Sequence, residues 1–137
     1  MKGFKLSALF SAVVCSLPMA AIAQTSSTDS AYLSDLYSFL QSEDNITYTM
    51  ATQSMTPEDS VWAAQMFCNT FASGVTPEDA YEVYTTAAIG QGEAYGGAFT
   101  EEIAYAVGLY GGAVMNLGAA YYCPQYQPQV QQALSAL

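Results

Sequence analysis

The chain has 137 residues, of which 12 are acidic, two are basic and none is histidine, giving a formal charge of −10 at pH 7. Without histidine, neither a Ser-His-Asp nor a Cys-His catalytic set can be assembled, and with only three cysteines a zinc centre lacks its usual ligands. A hydrophobic content of 52% with 11 tyrosines still points to a packed domain, because disordered acidic chains are poor in aromatic residues.

Lys2 and Lys5 open the chain, and Leu6 to Val14 follow as a short apolar core. Ala21-Ile22-Ala23 puts small residues where a signal peptidase reads them, so residues 1–23 are predicted to be a signal peptide cleaved before Gln24. The apolar run is too short to span a bilayer. A lipoprotein reading at Cys15 competes, but Val14 stands where a small residue is wanted. Both basic residues leave with the signal and all twelve carboxylates stay, which takes the side-chain charge from −10 to −12. About 114 residues remain, the size of one domain. The expected location is secreted or periplasmic, in either case extracytoplasmic, with no transmembrane anchor after cleavage. Phosphate neutralisation requires Lys or Arg, so nucleic acid and anionic membrane surfaces are excluded as partners of the mature chain. Cys68 and Cys123 are left as an even pair in an oxidising compartment. One internal bridge is expected, worth roughly 4 kcal/mol in the chain-entropy account; two buried thiols or an intermolecular bridge are the alternatives.

Residues 24–29 are polar and read as a flexible lead, and residues 30–137 as a single helical domain. A first helix is predicted over about 30–41, where Tyr32, Leu33, Leu36, Tyr37, Phe39 and Leu40 fall mostly at helical spacing. Residues 42–55 carry no such stripe and read as a loop, in which Ile46 to Met50 would suit a short strand that has no evident partner. The tetrapeptide Thr-Pro-Glu-Asp then occurs at 56–59 and again at 76–79. Thr56 and Thr76 suit the N-cap, Pro57 and Pro77 suit the first helical position, and the acids face the positive end of the helix dipole. The first copy opens a helix with Val61, Ala64, Cys68 and Phe71 as its stripe, flanked by Trp62 and Met66 and closed by Gly74. The second carries Ala80, Tyr81, Tyr84, Ala87 and Ala88 and is expected to end at Gly90, where a glycine-rich connection to Phe99 begins.

Thr100 caps the longest predicted helix, running to about Tyr122 with Ile103, Val107, Tyr110, Val114, Leu117 and Tyr121 as its apolar face. Gly108, Gly111, Gly112 and Gly118 lower its propensity but remove bulk where another helix can approach. Pro124 and Pro128 stop it, and the tail from Gln129 reads as frayed or as a short turn. The expected fold is all-α, a small bundle of about four helices closed by one disulfide.

Chemistry is harder to find. The uncharged stretch Ile103 to Tyr122 contains a Gly108-x-x-x-Gly112 spacing, but Asn116, its tyrosines and its glycines favour a buried soluble helix over a membrane span. Of the four adjacent acid pairs, Glu58-Asp59, Glu78-Asp79 and Glu101-Glu102 are explained as helix starts. Glu43 and Asp44, in the expected loop, remain a candidate cation-binding pair. Tyr81, Tyr84, Tyr105, Tyr110, Tyr121, Tyr122 and Tyr126 suit either a stacking surface or core edges whose hydroxyls reach water. Asn45-Ile46-Thr47 is a glycosylation sequon, meaningful only in a eukaryotic secretory route. No catalytic residue, metal or cofactor is assigned.

Phe67-Cys68, Gly74, Thr76-Pro77-Glu78-Asp79 and Ala120-Tyr121-Tyr122-Cys123-Pro124-Gln125-Tyr126, with the earlier Phe39-Leu40, resemble the small exported proteins of the domain of unknown function 732 family, mycobacterial type. The resemblance spans most of the mature chain, although the stretch between the cysteines is longer here. It implies a compact helical fold with Cys68 and Cys123 paired, and no activity. The functional expectation is an acidic exported domain that is not an enzyme and acts by binding, to a cationic protein or a cell-envelope component. The alternative is a carboxylate-based hydrolase of envelope glycans using an acid such as Glu93.

Overall fold

The computed structural model describes residues 26–94 and 100–137, with residues 92–94 described by their backbone. The expected signal segment 1–23 and the stretch 95–99 lie outside the described residues. Six α-helices follow one another: α1 (Ser27–Glu43), α2 (Asn45–Gln53), α3 (Pro57–Ala72), α4 (Pro77–Ala94), α5 (Glu101–Tyr122) and α6 (Gln127–Ser135), with a 3-10 turn at Pro124–Tyr126. No strand occurs among the described residues, so the fold is all-α, with more helices than the four expected. Ala31–Leu137 form a compact unit. Within residues 1–30, the described part is Ser26 with the first helical turn, where the Asp29 N–H donates to Ser26 Oγ at 3.1 Å.

The repeated tetrapeptide works as capping chemistry requires. Thr56 Oγ1 accepts from the Asp59 N–H at 3.1 Å while an Asp59 carboxylate oxygen accepts from the Thr56 N–H at 2.8 Å, a reciprocal capping box. At the second copy, Thr76 Oγ1 accepts from the Asp79 N–H at 3.2 Å. Thr100 Oγ1 accepts from the Ile103 N–H at 3.3 Å at the head of α5. Gly74 ends α3 with a φ of 97°. The Gly74 N–H bonds to Phe71 O and the Val75 N–H to Thr70 O, the two bonds of a Schellman closure.

Four boundaries differ from expectation. Helix α1 starts at Ser27, so residues 27–29 of the presumed lead are helical. The presumed loop 42–55 contains α2, because Asp44 caps it and Thr47 and Ala51, one turn apart, bury its inner face. Helix α4 continues through Gly90 to Ala94. The tail folds as α6, with Pro128 in its first turn and Val130 and Ala133 buried; proline is compatible with a helix start for the same reason as at residue 57.

Helix α5 is the centre of the bundle and packs against α2, α3, α4 and α6. Its buried side keeps Tyr110 and Val114 of the predicted stripe and otherwise shifts toward smaller residues. Ile103 is exposed, and Ala106, Tyr110, Gly111, Ala113, Val114, Met115, Gly118 and Ala119 are buried. A helix crossed closely by several neighbours buries its small residues, since contact distance and not side-chain size decides where backbones meet. Tyr32, Leu36 and Leu40 of α1 and Ala64, Phe67 and Phe71 of α3 complete the core. One polar cluster runs through it: Tyr32 donates to Ser60 O at 3.0 Å, and Ser60 Oγ lies 2.8 Å from Tyr110 Oη. The disulfide joins Cys68 to Cys123 across 55 residues with a Cα–Cα distance of 5.8 Å, clasping α3 to the end of α5.

Candidate functional site

Helix α5 has two kinds of glycine. On the packed side, a Cβ added to Gly111 would fall 2.0 Å from Tyr84 Cε1, and one on Gly118 would fall 2.8 Å from Ala64 Cβ and 3.1 Å from its Cα. These glycines are filled by their neighbours. Two tyrosines of α4 also lean on α5: Tyr81 donates to Gly108 O and Tyr84 to Val107 O, each at 3.1 Å. A Cβ on Gly112, by contrast, would meet Leu134 Cδ2 at 3.5 Å and Tyr81 at 3.9 Å, ordinary contact distances.

That opening belongs to a groove of about 520 Å³. Ala104, Gly108, Gly112 and Asn116 run along it at four-residue spacing, a single stripe of α5 about 18 Å long at the helical rise. Its sides are Phe39 of α1, Tyr81 of α4, Leu134 of α6, and Tyr105 and Leu117 of α5 itself. Phe39 and Tyr105 are 38% and 59% exposed, so large apolar surface faces solvent at the mouth. The groove's polar feature is Asn116, whose Oδ1 is buried without a hydrogen-bond partner. An uncompensated acceptor of this kind costs about 1–3 kcal/mol.

Carboxylates flank the groove. Tyr105 is shared with a cleft lined by Asp44, Glu101 and Glu102, and Tyr81 and Leu134 are shared with another lined by Glu78 and Glu82. No basic residue occurs after Lys5, so no side-chain ion pair compensates these acids.

The residues singled out from the sequence are dispersed. Of the pair Glu43 and Asp44, Asp44 caps α2: its Oδ2 accepts from Thr47 Oγ1 at 2.6 Å and from the Thr47 N–H at 2.9 Å. The Thr47 hydroxyl and backbone bonds hold the Asp44 carboxyl below the usual carboxylate range. The bonds from Thr56 do the same for Asp59. Among the described residues, no three Cys, Asp or Glu side chains are grouped to hold a metal. Asn45 of the sequon is exposed, but Thr47 is buried with its hydroxyl committed to Asp44. Glu93 lies on α4, not in a loop, and its side chain lies outside the described residues.

The tyrosines do not form one stacking surface. Tyr110 is buried, and desolvation pushes its phenol up to about 12 against the opposing pull of the Ser60 hydrogen bond. Burial pushes Tyr32 and Tyr84 higher still. Tyr121 donates to Asp35, and Tyr81 and Tyr105 line the groove. Helix α5 is long and apolar enough to cross a membrane, but half of its apolar window is buried in the bundle. The groove itself was not foreseen. Its signal was the four-residue repeat of small side chains from Ala104 to Gly112, visible in sequence only as Gly108-x-x-x-Gly112.

No protein-family model, no curated protein and no solved structure matches the chain.

Proposed function

We propose that this protein is an exported, acidic binding domain, without catalytic activity of its own, that recognises a cationic partner in the cell envelope or outside it. The observation that carries the reading is the pairing of an apolar groove with uncompensated carboxylates on its flanks. Twelve acidic side chains with no basic residue beyond Lys5 produce a single-signed field, which steers oppositely charged partners and repels further copies of the same chain. Export follows from the leader pattern, and the disulfide is compatible with it. The resemblance to the domain of unknown function 732 family supports the same architecture and supplies no activity.

The test is recovery of the exported protein on a resin challenged with envelope extract at low and high salt. Basic components that bind at low salt and elute as salt rises are expected, because exposed charges are screened over about 10 Å at 0.1 M. Retention of neutral or acidic components, indifferent to salt, would overturn the reading.

A further inference from the structure

We infer that the groove on α5 docks a basic amphipathic helix of about three turns, laid along the stripe from Ala104 to Asn116. This rests on the cationic-partner reading above and adds to it a place and a shape.

Three observations carry the inference. The first is internal precedent. Gly118 lets α3 approach α5 so closely that Ala64 fills the glycine's side-chain space. Ala104, Gly108 and Gly112 repeat that small-residue composition one face away along the groove. The Tyr81 hydroxyl sits 3.1 Å from where a Gly108 Cβ would lie, whereas Gly112 has only ordinary contacts above it. The second is shape and polarity. A stripe about 18 Å long matches about 12 helical residues, and helix-in-groove recognition places apolar anchors at i, i+3, i+4 and i+7 against such walls. Phe39, Tyr105, Leu117 and Leu134 supply those walls. Asn116 supplies one polar point, since its amide can turn about χ2 to offer the unpartnered Oδ1 to a donor on the guest.

The third is charge complementarity. Asp44, Glu101 and Glu102 lie beyond Tyr105, and Glu78 and Glu82 lie beyond Tyr81 and Leu134. A helix seated apolar face down would carry its polar face near these acidic clefts, each of which shares lining residues with the groove, so Lys or Arg there is attracted to their carboxylates. The same carboxylates oppose a second copy of this chain as the occupant, since it would bring only further acids.

The experiment uses the protein recovered after export from cells expressing the full chain. Binding is read by fluorescence anisotropy with three labelled peptides of about 18 residues, long enough for helix to form. One has Leu on one face and Lys on the other. The second keeps the Lys with Ser in place of Leu, and the third keeps the Leu with Glu in place of Lys. The Leu/Lys peptide is expected to bind at least about tenfold more tightly than the Lys/Ser peptide, since burying one Leu exceeds the 1.4 kcal/mol that tenfold represents. The Leu/Glu peptide is expected not to bind. Gly112→Leu, and independently Ala104→Leu, fill the groove and should each weaken the Leu/Lys peptide about tenfold, leaving the Lys/Ser peptide and the circular dichroism spectrum unchanged.

Equal binding of the two Lys peptides, or folded groove variants that bind like the parent, would overturn the docking site and leave the charge reading intact. Failure of both Lys peptides to bind at low salt would remove the charge reading as well. Self-association of the protein, abolished by Gly112→Leu, would replace the basic helix with a second copy and so overturn the inference.

Discussion

The two faces of α5 use the same residue for opposite ends. Toward α3 and α4, Gly111 and Gly118 are glycine because Tyr84 and Ala64 occupy the space a side chain would need. Toward the groove, Gly112 leaves room that nothing within the described bundle takes up. One face is closed by packing, hydrogen bonds and a disulfide; the other presents apolar walls, an unpaired amide oxygen and flanking acids. The contrast separates glycine kept for stability from glycine kept for access, and substitution at each site should tell them apart.

The largest effect is expected on the closed face. Cys68→Ser with Cys123→Ser frees a 55-residue loop and should lower unfolding free energy by roughly 4 kcal/mol, read by urea denaturation. Next, Gly118→Ala should cost about 2 kcal/mol, because Ala64 backbone cannot give way as a flexible side chain would. An unchanged midpoint for that variant would erase the distinction between the faces. On the open face the sign should reverse. Asn116→Leu removes a buried acceptor with no partner and should raise stability by about 1 kcal/mol. Gly112→Ala has space for its methyl group and should add up to about 1 kcal/mol through helix propensity, visible as a higher Tm.

The smallest effect concerns pH. Asp59 accepts cap hydrogen bonds that depress its pKa below the ordinary value of 3.8. A carboxyl with a depressed folded pKa contributes stability above its unfolded pKa and loses it as pH falls through the folded value. Asp59→Asn should therefore melt lower than the parent at neutral pH, with the gap closing below about pH 3.8. A gap that persists undiminished into acid would show that the cap acts through shape and not through charge.

Much of the closed face was legible in the sequence, because its determinants are local. Thr56-Pro57-Glu58-Asp59 and Thr76-Pro77-Glu78-Asp79 declare helix starts through their own backbone needs, and Gly74 declares a stop. With Cys15 assigned to the expected leader, Cys68 and Cys123 are the one possible internal bridge, and they are paired. Large side chains alone tell only part of the rest: Tyr32, Leu36, Leu40 and Phe71 are buried as expected, but small buried residues went unread. On α5 the expected stripe holds at Tyr110 and Val114, which are buried, and fails at Ile103, which is exposed, while Ala106, Gly111, Ala113, Met115, Gly118 and Ala119 join the buried side. Helix α2 was missed for a related reason: its buried positions are Thr47 and Ala51, too small and too polar to register as a stripe. The groove was illegible because four helices contribute to it, and no periodicity within one helix reports where another stops short.

The clasp between Cys68 and Cys123 also fixes the covalent topology of the chain. All of α4 and α5 lies between its two ends, so a protease cutting once anywhere from 69 to 122 yields two polypeptides that stay bonded as one molecule. Such a nick is invisible to mass on a non-reducing gel, and the fragments part only when a reductant reaches the sulfurs. Turnover of the nicked protein thus depends on the redox state of its surroundings as well as on the peptidases it meets.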